Sequence, residues 1–195
     1  KRETEGKILS NRDLLENTAR MLELKQEEVS ALSFERNCFE PMKSGIHKVY
    51  KRGKKALKLS KTNPQPSHFH QWRKGAKYLR YQPRVILPVW PSYIKALEKE
   101  YHKLTNLLGS SHDLTVLLES IQNESVEIPS ARGKESLLTV LKEHRNQLQT
   151  HALILGDKLY ATKKDDFSNN IEKFWGAYQK YVDQPTLLRT KDLEY

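Results

Sequence analysis

Cysteine is nearly absent from this sequence. Cys38 stands alone, so neither an internal disulfide nor a cysteine-built zinc cluster can form, and a cytoplasmic protein is expected. Long apolar runs are missing too. The best, Val85-Ile86-Leu87-Pro88-Val89-Trp90, is broken by proline and falls far below the roughly 18 residues of a membrane span. The eight glycines occur singly, which excludes a glycine-rich phosphate loop. Alternating β-branched runs are absent, which argues against a sheet. Negative charge is the telling scarcity: from Pro41 to Leu97 there is no Asp or Glu.

What is present in that window has one sign. Its 57 residues hold fourteen Lys and Arg, while the rest of the chain carries 20 basic and 24 acidic residues. The whole net charge of +10 over 195 residues therefore comes from one segment. Such concentration raises a local positive potential and points to a polyanionic partner. Nine Tyr, five Phe and three Trp supply core-forming area, so the chain is not disordered in composition.

Apolar residues recur with helical period almost throughout. Helices are expected at roughly 11–30, 42–60, 67–82, 91–108, 112–122, 134–161 and 166–183. The expected breakers are Pro41, Asn63 to Pro66, Pro83 to Pro91, Gly109-Ser110-Ser111, and Asn123 to Gly133. Short connections favour antiparallel neighbours, so the expected fold class is all-α, built of antiparallel helical bundles. In the first basic helix Ile46, Val49, Tyr50, Gly53, Ala56 and Leu57 share one side. Lys48, Lys51, Arg52, Lys55 and Lys58 fill an arc of about 120° opposite them. In the next, Phe69, Trp72, Ala76 and Leu79 make an apolar stripe, flanked by His70, Arg73, Lys74, Lys77 and Arg80. Like charges three and four residues apart repel by a few tenths of a kcal/mol per pair, about what interleaved Glu would relieve. Two successive unrelieved faces fit a surface that neutralises phosphates.

Other chemistry finds little support. His68 and His70 fall on different helix faces, and His144 and His151 are two turns apart, so no shared metal site is expected. His112-Asp113 is read as a helix start, where an acid suits the first turn. Cys38 lacks an evident histidine partner, and the spelling Glu3-Thr4-Glu5-Gly6-Lys7 resembles a triphosphatase metal strand without further strands to complete it.

Four segments carry a family resemblance. Phe69 to Tyr81 (FHQWRKGAKYLRY) resembles the His-x-x-Arg-Lys basic helix of CHAD domains, the conserved-histidine α-helical domains. Gly45 to Leu57 (GIHKVYKRGKKAL) is similar to the family's preceding basic helix, and Leu108 to Leu117 (LGSSHDLTVL) to its third motif. Arg145 through Tyr160 also fits, so the matching stretch runs over about 40–182. The resemblance implies two related four-helix bundles with basic helices on a common groove, binding of inorganic polyphosphate, and association with polyphosphate granules rather than catalysis. By position, His70, Arg73 and Lys77 match one family helix, Lys51, Lys54 and Lys55 the one before it, and His112 and Asp113 the third motif. No earlier His-x-x-Arg helix precedes Phe39. The expected organisation is thus a shortened or partial first repeat over 1–40 and a complete CHAD-like bundle over 41–195.

The expected polyphosphate-binding set is Lys48, Lys51, Arg52, Lys54, Lys55, Lys58, His70, Arg73, Lys74, Lys77, Arg80 and Arg84, with no catalytic residue, metal or cofactor. Nucleic acid is the alternative partner, with Tyr78 and Tyr81 as stacking platforms. An enzyme acting on polyphosphate or triphosphate is a further alternative; it would need an acid cluster for metal, and Asp113 is its one acidic candidate.

Overall fold

A computed structural model describes residues 12–30, 39–126 and 128–182. Among the described residues there are six α-helices: α1 (Arg12–Ser30), α2 (Glu40–Thr62), α3 (Pro66–Tyr81), α4 (Pro91–Gln122), α5 (Ala131–Leu159) and α6 (Lys164–Val182). A 3₁₀ segment, Gln82–Val89, joins α3 to α4, and no strand occurs among the described residues. The fold is an all-α helical bundle. Cys38 and the Glu3 to Lys7 spelling lie outside the described residues. None of the described helices is long and apolar enough to cross a membrane.

The chain divides into two compact units, Lys1–Cys38 and Phe39–Tyr195. The first contains α1, whose Leu14, Leu15, Met21, Leu22 and Leu24 are exposed and whose Lys25 pairs with Glu28 at 2.6 Å.

In the second unit, proline sets the starts of α2, α3 and α4. There its missing N–H costs nothing and its fixed φ suits the first turn. Ser130 caps α5 by accepting a bond from the Gly133 N–H at 3.2 Å. α6 carries Asp165 and Asp166 in its first turn and Lys180 in its last, signs that complement the helix dipole. α2 packs on α3, α3 on α4, α4 on α5, and α6 returns to cover α2. The core is filled by Tyr50, Trp72, Leu79, Ile94, Tyr101, Leu104, Leu108 and Ile171, all fully buried. Tyr50 stacks on Phe167 of α6 with centroids 4.2 Å apart. Its hydroxyl lies 2.9 Å from Thr162 Oγ1, in the α5–α6 connection. α2 and α3 approach closely at Gly53 and Gly75, where a Cβ on Gly75 would stand 3.2 Å from Gly53 Cα.

Two expectations need correction. Gly109-Ser110-Ser111 does not interrupt the chain: α4 runs unbroken for 32 residues, merging the expected helices 91–108 and 112–122. His112 accordingly stands in a helix interior, not at a helix start. Gly109 and Ser111 are buried against neighbouring helices, and Ser111 Oγ accepts a bond from Gln149 Nε2 of α5 at 3.1 Å. Tertiary packing thus overrides the local preference of these small residues for a turn. The stretch between Pro83 and Pro91, expected as a break, is largely 3₁₀ helix with non-helical geometry at Ile86.

Candidate functional site

The basic residues of α3 follow a strict pattern. His70, Arg73, Lys77 and Arg80 recur at alternating steps of three and four, which keeps them on one flank of the helix, and Arg84 follows four residues on in the 3₁₀ segment. That flank borders α4. The rings of His70 and His112 lie 5.1 Å apart. The Arg73 guanidinium crosses Gly109, and Arg84 is bound to Glu98, with Nε 3.0 Å from Oε1. His70, Arg73 and Arg84 thus meet His112, Gly109 and Glu98 in turn, an antiparallel pairing of the two segments. On α4, Glu98, His102, Thr105, Gly109 and His112 follow an alternating spacing of four and three.

The α3 side of this contact thus carries cations, while Thr105 and Gly109 on the α4 side are buried. His70 Nδ1, Arg73 Nε and Arg80 Nε are buried and have no hydrogen-bond partner. Partial burial, followed by the charges of Lys74, the neighbouring His112 and Arg73, lowers the His70 pKa below its ordinary 6.5. Lys74 and Lys77 are exposed beside it. At the far end Arg80 and Arg84 both lie over the Tyr81 ring, at 5.0 and 5.4 Å from its centroid.

The cations of α2 form a second strip. Lys48, Lys51, Arg52, Lys55 and Lys58 are exposed on the side away from the core. Gly75, which meets α2, and Arg73, which meets α4, sit on opposite flanks of α3. The two strips therefore do not close on one another across the α2–α3 contact. The α2 flank nearest α5 and α6 is engaged in holding the fold. Lys54 donates to the Thr162 carbonyl at 2.7 Å, Lys61 pairs with Asp157, and Lys43 pairs with Glu172 at 2.8 Å. His47 Nε2 stands 3.3 Å from Asp165 Oδ1.

Of the twelve residues expected to bind polyphosphate, Lys54 and Arg84 thus have protein partners. Lys48, Lys51, Arg52, Lys55, Lys58, Arg73, Lys74, Lys77 and Arg80 make no ion pair among the described residues. Sequence reasoning missed His102, Thr105 and Gly109, and it left His112 without a place in the α3–α4 contact. Their shared spacing on α4 is the signal, and it is visible only when that helix is read as continuous. No group of three or more His, Cys, Asp or Glu among the described residues is placed to hold a metal ion.

The CHAD domain family model matches residues 10–122, more than half the chain, and the protein belongs to that family. The matched stretch runs from α1 through α4 and so contains both sides of the α3–α4 contact. It begins earlier and ends sooner than the motif resemblance over 40–182. Comparison with curated proteins and with solved structures finds no match.

Proposed function

We propose that the protein binds inorganic polyphosphate, with the α3 flank beside α4 as its principal contact and the exposed α2 strip adding further cations. One observation carries this reading: on the α3 flank that borders α4, Arg73, Lys77 and Arg80 make no ion pair among the described residues, with exposed Lys74 beside them. From His70 to Arg80 the line extends about 15 Å, enough to follow several phosphates of an extended strand. Polyphosphate offers repeated anionic oxygens and no bases, so it calls for dense Lys and Arg and nothing else. Each phosphate neutralised releases condensed counterions, which makes the affinity depend steeply on salt. Half-buried guanidinium groups add charge-assisted, directional contacts that exposed lysines do not.

The proposed role is binding without catalysis. The carboxylates nearest this flank are Glu98, already held by Arg84, and Asp113, which is exposed. Association with polyphosphate granules would follow from that affinity. A second reading, single-stranded nucleic acid, rests on exposed Tyr78 and Tyr81 beside the cations. Titration with long-chain polyphosphate over a salt series, with single-stranded DNA as competitor, separates the two. Tight binding that DNA fails to displace at equal charge concentration supports polyphosphate; displacement at equal charge supports nucleic acid.

A further inference from the structure

We infer that Gly109 is a positioning residue for Arg73: its missing side chain is what lets the guanidinium lie across α4. The inference rests on the polyphosphate reading and adds to it a residue that carries no charge.

Gly109 stands in the interior of a 32-residue helix, where glycine is a poorer helix former than alanine. Helix geometry does not ask for it. No glycine among the described residues has positive φ, so no turn or left-handed conformation is served. What it serves is lateral. The three atoms nearest to a Cβ built on Gly109 all belong to the Arg73 guanidinium: Nε at 3.4 Å, Nη2 at 3.6 Å and Cζ at 3.9 Å. Those distances are van der Waals contact, so a single methyl would just touch the group. Any longer side chain on this face would have to occupy the volume the guanidinium now fills.

The position has a consequence for charge. Arg73 Nε is buried and unpartnered, and its guanidinium meets no carboxylate among the described residues. A flexible arginine with no protein acceptor would ordinarily extend into water, losing its orientation and requiring that entropy to be given up on binding. Resting on the α4 backbone at Gly109 restricts the side chain before any ligand arrives. His112, one turn further along α4, holds His70 at 5.1 Å on the same side. Two neighbouring α4 positions therefore each steady one anion-facing residue of α3.

The test is a substitution series read by polyphosphate affinity and thermal unfolding together. Gly109→Ala should melt at the same temperature or higher, since a single methyl there only reaches van der Waals contact. Gly109→Leu keeps a good helix former but displaces the guanidinium, and should weaken binding about tenfold or more, the loss of one charge-assisted contact. In an Arg73→Ala background the same Leu substitution should weaken binding no further, because there is no guanidinium left to move. Should Leu lower the melting temperature, Gly109→Ser makes the same comparison with less bulk. Wild-type affinity in Gly109→Leu, or an equal loss with and without Arg73, overturns the positioning role. A wild-type chain that binds no polyphosphate overturns the function itself, and the positioning role with it.

Discussion

The indole of Trp72 rests on the bare α-carbon of Gly156, so closely that a Cβ there would stand 2.3 Å from Cζ2 and 3.1 Å from Leu57 Cδ1. This contact joins α5 to α2 and α3 beneath the basic helix, and Trp72 itself is fully buried. Neither ring nor leucine can retreat within a packed core. Gly156→Ala should therefore destabilise the fold by about 1–3 kcal/mol, overpacking outweighing the roughly 1 kcal/mol that alanine gains over glycine in a helix. Urea unfolding checks this, and a raised midpoint would refute it.

Glu98 restrains Arg84 at one end of the α3–α4 contact, with Arg84 pairing to its carboxylate and the neighbouring positive charges holding the Glu98 carboxyl below its ordinary range. Glu98→Gln removes that competitor and frees one more cation for phosphate. Polyphosphate affinity should rise severalfold and its salt dependence should steepen, by roughly 0.7 in the log–log slope for a flexible strand. Stability should change little, since an ion pair screened by solvent contributes little to folding. Isothermal titration at several salt concentrations reads both quantities.

His70 gives the system a pH dependence whose sign can be worked out. Its folded pKa lies below 6.5, chiefly because of burial and then because of Lys74, His112 and Arg73. As pH falls through 6.5 the unfolded chain takes up a proton before the folded one, so the free protein loses stability on acidification. A bound phosphate favours the protonated ring, so affinity should increase over the same window. His70→Gln should flatten both trends. Affinity that is level from pH 8 to pH 5.5 in the wild type would contradict this assignment.

Much of this was legible in the sequence. The apolar stripes of α2 and α3 were visible because burial imposes a period of 3.6, and Tyr50, Trp72 and Leu79 are indeed fully buried. The acid-free window announced the cationic strips. What local pattern could not reveal was the partner of each engaged cation: Lys54 bonds to Thr162, 108 positions later in the chain. Gly109 and Ser111 were read as a break because a small residue suits a turn and a tight helix contact equally well. That reading cut α4 in two and hid the spacing of His102, Thr105, Gly109 and His112. Only the packing of Arg73 and Gln149 onto that stretch distinguishes the cases.

The most direct measurement compares polyphosphate affinity of the wild type with that of Arg73→Glu/Lys77→Glu, at one moderate salt concentration, with circular dichroism on both. Both residues pair with no carboxylate among the described residues and lie outside the core. The account predicts saturable binding by the wild type, loss of nearly all of it in the reversed variant, and unchanged helix content and melting. Equal affinity in the two proteins would contradict the assignment of the α3 flank beside α4 as the polyphosphate site.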